Sequence, residues 1–211
     1  IIANPVVYPL PRGEPELDPV VLVGATRKIV LAVGRLGEEK GFASLMSAFS
    51  TLAMRYPDWD LVILGEGPER DSLERQCKKL GLTERIFLPG RVGNLSDWYK
   101  RAELYVLSSR FEGFPNALAE AMAHGLPSVS FDCKAGPRDI IREGIDGFLV
   151  PPSDGAQGMS HAIEALMRND SLRQDMAEAA KAVRVRFSME QIASAWDEVL
   201  GLDENSICLR G

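Results

Sequence analysis

The chain has 211 residues, of which 45% are hydrophobic and 26% charged. This is the composition of a folded globular protein with one sizeable domain, and it excludes a disordered or fibrous chain. The 24 Lys and Arg against 30 Asp and Glu leave a formal charge of -6, so nucleic acid or an anionic membrane is not expected as main partner, and any phosphate must be held by a few local cations.

Three cysteines, Cys77, Cys133 and Cys208, are too few and too scattered for a disulfide framework. With no C-x-x-C and no His pair there is no zinc signature, and a reducing cytoplasm is the expected setting. The start, Ile1-Ile2-Ala3-Asn4-Pro5, has neither an initiator Met nor a basic leader, so the chain is expected to begin inside a longer protein. Its longest apolar runs are strand-sized, so no membrane span is expected. Tyr8 to Pro19, rich in Pro and acidic residues, reads as loop.

Lys28 to Gly34 is a continuous apolar run ending in Gly, as in a strand covered on both faces. Phe42, Leu45, Met46, Phe49, Leu52, Ala53 and Tyr56 follow helical spacing, and Pro57 stops the helix. Between strand and helix lies Gly34-Arg35-Leu36-Gly37-Glu38-Glu39-Lys40-Gly41. It is not a Walker loop, because no Gly-Lys-Ser/Thr closes it. Taken by itself, it is a solvated basic pair beside two glutamates.

The pattern repeats with Trp59 to Leu64, the turn Gly65-Glu66-Gly67-Pro68, and a helix carrying Leu73, Cys77 and Leu80 that Gly81 ends. The turn lacks the third glycine of G-x-G-x-x-G, with Arg70 in its place, which speaks against a NAD enzyme. Arg85 to Leu88 is a third strand, followed by Pro89-Gly90-Arg91-Val92 and a short helix with Trp98 and Tyr99. Leu104 to Leu107, Pro127 to Phe131 and Gly147 to Val150 are the fourth, fifth and sixth strands. From Gly155 onward the chain reads as helical. Strands alternating with helices predict an α/β fold with a doubly wound, parallel Rossmann-like sheet, C-terminal helices, and ligand at the strands' carboxyl ends. His161 reads as solvated and His124 as a helix-end residue, worth about 0.3 to 1 kcal/mol at the dipole if charged. Neither has a triad partner legible from spacing.

The stretch with most chemistry is Ser108 to Gly125. It follows the fourth strand, presents Glu112, Gly113 and Phe114 in a loop, and opens a helix at Pro115 and Asn116 whose free N-H groups point toward the strand ends. Glu112 and Glu120 stand eight positions apart. In one helix they would lie roughly 12 Å apart, but with Glu112 in the loop both can reach one ligand.

The segment Phe111 to Pro127, with Glu112, Gly113, Phe114, Pro115, Glu120, Ala121, Gly125 and Pro127, resembles the E-x7-E donor site of retaining GT-B glycosyltransferases of family 4. The resemblance spans nearly the whole chain but only the C-terminal, donor-binding half of such an enzyme. It implies that Arg35 and Lys40 neutralise the donor's diphosphate, that Gly34, Gly65 and Gly67 border the nucleotide through backbone, and that Arg91 and Val92 hold the base. It places Glu112 on the sugar hydroxyls and Glu120 on the ribose, with Gly113, Phe114, Pro115 and Asn116 completing the donor loop. No metal or other cofactor is implied. Residues 1–24 would be a hinge from an N-terminal acceptor domain, with Asn4-Pro5-Val6 as its mark, 25–187 the donor-binding domain, and 188–211 a crossover helix and tail in which Trp196 is partly uncovered.

Asp132 to Ile141 departs from the family's Gly-Gly-x-Pro-Glu pattern and leaves the sugar open, with a tilt toward UDP-hexose or UDP-N-acetylhexosamine. Lys134 and Arg138 in it read as surface residues. The implied function is transfer of that sugar to a saccharide or lipid-linked acceptor in polysaccharide synthesis, in the cytoplasm or at the inner membrane face, with the acceptor held by the N-terminal domain and no nucleic acid as partner. A catalytically silent nucleotide-sugar binding module and a GT-B epimerase are the alternatives.

Overall fold

The computed structural model describes residues 2–201; Ile1, Cys208 and the rest of the tail from residue 202 lie outside the described residues. Strands β1 (Lys28–Val33), β2 (Trp59–Leu64), β3 (Ile86–Gly90), β4 (Leu104–Leu107), β5 (Ser128–Phe131) and β6 (Gly147–Val150) form one sheet. Every pairing is parallel and the spatial order is β3-β2-β1-β4-β5-β6. This is the doubly wound order that the alternating runs predict. Chain direction across the sheet reverses between β1 and β4, and such a reversal opens a crevice at the carboxyl ends of the strands.

Helices α1 (Pro19–Val23), α2 (Phe42–Ala53), α3 (Arg70–Leu80), α4 (Leu95–Arg101), α5 (Asn116–Ala123), α6 (Pro137–Ile140), α7 (Gly155–Arg168), α8 (Asp170–Ala180), α9 (Val183–Arg186) and α10 (Met189–Leu200) connect and cover the strands. Strand β1 shows why both faces are covered. Ile29 and Leu31 join one core with Trp98, Tyr99 and Leu118, while Val30 and Ala32 join the other with Leu45, Phe49 and Ile163. All are fully buried, and each large one contributes about 1.5–3 kcal/mol. A strand with two apolar faces has no polar residue to alternate, hence the unbroken run in the sequence.

Several boundaries differ from the sequence reading. β3 starts at Ile86 and reaches Gly90, because a register shift against β2 brings Gly90 opposite Leu64. Arg85 instead turns its Nε to Asp60 Oδ1 at 2.7 Å. Helix α5 starts at Asn116, with Pro115 as its cap residue. The stretch before β1 holds α1, since Asp18 accepts from the Val20 N-H at 2.8 Å and Pro19 suits a first turn. It is also no free loop: the Gly13 N-H donates to Gly93 O at 2.9 Å and the Leu17 N-H to Asn94 Oδ1 at 3.0 Å. Helix α6 lies within the departing segment 132–141, where the sequence showed no period. Trp196 is 49% exposed, as expected.

The ends of β1, β2 and β3 are stitched by backbone bonds: Gly34 N to Leu64 O at 2.9 Å, Leu36 N to Glu66 O at 2.9 Å and Gly65 N to Gly90 O at 2.8 Å. Gly65 has φ +143°, and a Cβ there would lie 1.8 Å from the Gly34 carbonyl oxygen. Gly65→Ala is therefore expected to cost about 2–4 kcal/mol of stability, read as a lower urea midpoint at constant m value. An unchanged midpoint would mean the two strand ends are not held in contact.

Candidate functional site

Two loops meet above β1 and β4. The β1 loop ends in a 3-10 turn, Glu38–Lys40, before α2 begins. The β4 loop is tied to it twice, by Ser108 Oγ donating to Lys40 O at 2.7 Å and by the Arg110 N-H donating to Glu39 O at 2.9 Å. These ties bring Lys40 Nζ to 2.6 Å from Glu112 Oε1. The side chains are 23% and 10% exposed respectively, so the pair is largely shielded from water. Arg35 is exposed and its side chain has no polar partner among the described residues. The loops at the strands' carboxyl ends thus carry a shielded ion pair and an exposed guanidinium.

Glu120 lies one turn into α5 and is half-buried. Its Oε2 accepts from the Tyr99 hydroxyl at 3.2 Å, and Oε1 takes no protein hydrogen bond among the described residues. Burial pushes the Glu120 carboxyl above its ordinary range, opposed by the Tyr99 bond. Burial also raises the Tyr99 phenol well above its usual value, so Tyr99 stays a neutral donor. Sequence reading placed Tyr99 only as a helix residue.

His124 closes the same helix, and here the structure differs from a charged helix-end residue. Burial holds its pKa below the ordinary value, so the ring is neutral at pH 7. Nδ1 lies 2.7 Å from Glu120 O, which can only accept, so the proton is on Nδ1 and Nε2 accepts from Ser96 Oγ at 3.0 Å. Among the described residues no carboxylate bonds the ring, so this pair does not have the geometry of a hydrolytic triad.

A cavity of about 290 Å³ opens at the ends of β1, β2 and β3, lined among others by Gly34, Arg35, Gly65, Glu66, Arg91 and Val92. Five of these were singled out from sequence; Glu66 was not. Gly67 stands next to this wall, its Cβ position 2.5 Å from Leu36 O. Arg70, the residue in place of the third glycine, ties the wall together: Nε and Nη2 grip both Glu66 oxygens at 2.7 and 2.6 Å, Nη2 also reaches Gly65 O at 3.2 Å, and Nη1 reaches Leu88 O at 3.0 Å. Its hydrogen bond holds Glu66 below the ordinary carboxylate range.

The remaining donor-loop residues are placed as follows. Gly113 is exposed. Phe114 packs edge-on against Phe187, ring centroids 5.4 Å apart, so its ring belongs to the core packing. Pro115 is buried, and Asn116 Oδ1 accepts from Asn4 Nδ2 at 3.0 Å. Above them lies the segment after β5. Gly136, at φ +92°, presses so close that a Cβ would lie 2.6 Å from both Gly113 O and Pro115 Cδ. Lys134 and Arg138 are exposed, as expected, and Arg138 forks onto Asp132 at 2.9 and 2.7 Å. Among the described residues, no group of three or more His, Cys, Asp or Glu could hold a metal, and no helix is long and apolar enough to cross a membrane.

The family profile described as "Glycosyl transferases group 1" matches residues 14–183. The chain belongs to that family. The amylovoran biosynthesis glycosyltransferase AmsD of Erwinia amylovora is 32% identical over 171 residues, which cover 81% of this chain and 47% of AmsD. Among solved structures, the C-terminal domain of the group 1 protein LpcC from Francisella tularensis is 26% identical at a TM-score of 0.70, covering 77% of this chain and 87% of that one. S. aureus TarM, in a complex that includes UDP, gives a TM-score of 0.79 at 24% identity over 92% of this chain and 38% of TarM. The group 1 chain described here spans about half the length of the curated relatives it matches. Its fold is that of the GT-B neighbours.

The raised Glu120 carboxyl gives a stability signature. A group whose folded pKa lies above its unfolded value adds stability that is full below the unfolded pKa and is lost as pH rises through the folded one. Glu120→Gln, which removes the buried charge, is thus expected to be at least as stable as wild type at pH 7, by up to about 1 kcal/mol. The difference should shrink as pH falls below the ordinary carboxylate range. Urea unfolding at pH 4 and pH 7 measures both, and a less stable Gln variant at pH 7 would rule out burial as the dominant influence.

Proposed function

We propose that the chain is the donor domain of a retaining GT-B glycosyltransferase of family 4, binding a UDP-hexose or UDP-N-acetylhexosamine for transfer to a saccharide or lipid-linked acceptor. The observation that carries this reading is the 2.6 Å contact of Lys40 with Glu112 on the same edge of the sheet as the free Arg35, which lines a cavity of about 290 Å³ at the ends of β1, β2 and β3. Lys40 and Arg35 neutralise the diphosphate as it gains charge on leaving, without a metal. Lys40 exchanges Glu112 for a phosphate oxygen, and Glu112 then accepts from the sugar hydroxyls. Glu120, aimed by Tyr99, accepts from the ribose through Oε1. The base enters the cavity between Gly65 and Arg91, against Val92, with Gly34 and Gly67 at its edge, while the N-H groups at Asn116 and the backbone of Gly113 to Pro115 face the phosphates.

Residues 1–24 serve as hinge, 25–187 as the donor domain and 188–211 as crossover helix and tail, with the acceptor bound by a further domain. The likeness to a C-terminal domain supports that division. The complete enzyme works in the cytoplasm, at the inner face of the membrane when its acceptor is lipid-linked. UDP is the nucleotide in the TarM complex, which makes it the first ligand to test. A silent binding module or an epimerase acting on the same ligand is told apart by products, since an epimerase leaves the nucleotide attached.

Isothermal titration is expected to show UDP binding that resists chelator. Arg35→Ala and Lys40→Ala should each weaken UDP by about 10–100-fold while leaving uridine affinity nearly unchanged. Equal losses for both ligands, or strict dependence on magnesium, would contradict the clamp. The 211-residue chain should bind the UDP-sugar yet fail to transfer it, because half a cleft neither excludes water nor positions an acceptor. In the complete enzyme Glu112→Gln should lower turnover more than affinity, and Glu120→Gln affinity more than turnover.

A further inference from the structure

Glu120 is held at two points, and one short helix supplies both. Helix α4 presents Ser96 and Tyr99, three positions apart and so on one face. Tyr99 donates its hydroxyl to Glu120 Oε2 at 3.2 Å, while Ser96 Oγ lies 3.0 Å from Nε2 of His124, whose Nδ1 lies 2.7 Å from the Glu120 carbonyl oxygen. The carboxylate is gripped directly and the backbone through an imidazole. That carbonyl also accepts the His124 backbone N-H at 3.1 Å, so two donors of one residue converge on one oxygen of Glu120.

Such a hold matters because α5 is short. Its 8 residues make a helix that is marginal by itself, and the carbonyls of its last turn have no partner further along the helix. The place of Glu120 is therefore set by what grips the helix end. Aromatic rings and a guanidinium close around His124: Tyr99 at 5.1 Å and Tyr8 at 4.9 Å between ring centroids, with the Arg184 guanidinium 3.6 Å from the Tyr8 ring centroid and its Nε 2.6 Å from Ala123 O. Burial, with Lys100 and Arg184 nearby, disfavours the charged ring. His124 stays neutral, with the Ser96 hydroxyl on Nε2 keeping the proton on Nδ1 and aimed at Glu120.

With Glu120 read as the ribose acceptor, we infer that His124 is its positioning residue, that Ser96 fixes the His124 tautomer, and that this pair sets how strongly the donor site recognises a ribose. A fixed carbonyl and a fixed Oε2 leave Oε1 in one place. Hydrogen bonds to a carboxylate are strong but weaken steeply as distance and angle are lost, so a helix end that drifts costs the ribose contact first. His124 acts only through Glu120, hence only on ligands that carry the ribose hydroxyls.

The test is calorimetric titration of the 211-residue chain with UDP and with its analogue lacking both ribose hydroxyls. Wild type is expected to prefer UDP by about tenfold. In His124→Leu that preference should fall to about twofold while the analogue binds as in wild type, and Ser96→Ala should lower it in the same direction. His124→Asn should keep most of it, because the Asn amide nitrogen stands near where Nδ1 stands and can donate to the same carbonyl. Packing alone predicts an equal loss for both ligands and no rescue by Asn. That result, or an unchanged preference in both His124→Leu and Ser96→Ala, overturns the proposal. NMR of the Glu120 carboxyl carbon gives a second readout: its titration midpoint, raised by burial, should fall toward the ordinary carboxylate range in His124→Leu and stay up in His124→Asn. A midpoint that does not move in His124→Leu also overturns the proposal. The midpoint reads the hold on Glu120 even if wild type binds no UDP or shows no preference for it, results that would count against the donor reading alone. If His124→Leu does not fold, Ser96→Ala carries both measurements.

Discussion

The crevice depends on how closely three backbone segments approach at the carboxyl ends of β1, β2 and β3. Leu36 accepts from Glu69 N at 2.9 Å and donates to Glu66 O at 2.9 Å, so the β1 loop is bonded to the β2 turn in both directions. Such an approach leaves no room for Cβ atoms at the crossing, and glycine is the residue that fits. The result is a rim whose shape is set by main chain rather than by mobile side chains. A rim of that kind can present N-H groups and cations in fixed positions without reorganising when a ligand arrives.

On this rim the Lys40 and Glu112 pair is held in near balance. At 2.6 Å and an effective dielectric of about 20, the attraction is about 6 kcal/mol. Desolvating each ion in a partly buried place costs several kcal/mol, so little net stability remains. A ligand with a doubly charged group can take Lys40 over at small cost, and its hydroxyls can do the same for Glu112. Ser108 through its hydroxyl and Arg110 through its backbone N-H hold the two loops together without using either charged group, so that the pair can open without the loops parting.

Much of this was legible in the sequence because it rests on local patterns. The six apolar runs gave the strands, since burial on both faces leaves an unbroken run, and Gly and Pro marked the turns. The loops after β1, β2, β3 and β4 could be assigned to one edge from that order alone. What escaped were features made by residues far apart in the chain. Nothing in the spacing says that Tyr99 aims Glu120, that Ser96 takes the ring of His124, or that Gly136 presses on Gly113. Helix α1 escaped because Asp18 and Pro19 sit in a stretch whose composition is that of a loop, although both are favourable for a helix start. Segment 132–141 escaped because its short turn is fixed by close backbone contact, which leaves no period to read.

Arg70 shows how one residue separates this site from a dinucleotide-binding one built on the same strand order. In the dinucleotide fingerprint the third glycine lets helix and strand pack closely and leaves the helix start open to pyrophosphate. Here a long side chain occupies that position and spans outward, joining α3 to Gly65, Leu88 and both oxygens of Glu66. The β2 turn is then fixed by a guanidinium fork instead of by close packing. The Arg70 hydrogen bond holds the Glu66 carboxylate ionised next to the start of α3, a negative charge that disfavours an anionic ligand at that turn. In the proposed donor site the phosphates accordingly lie across the crevice, at Arg35, Lys40 and the start of α5, and the β2 turn serves as the wall for the base.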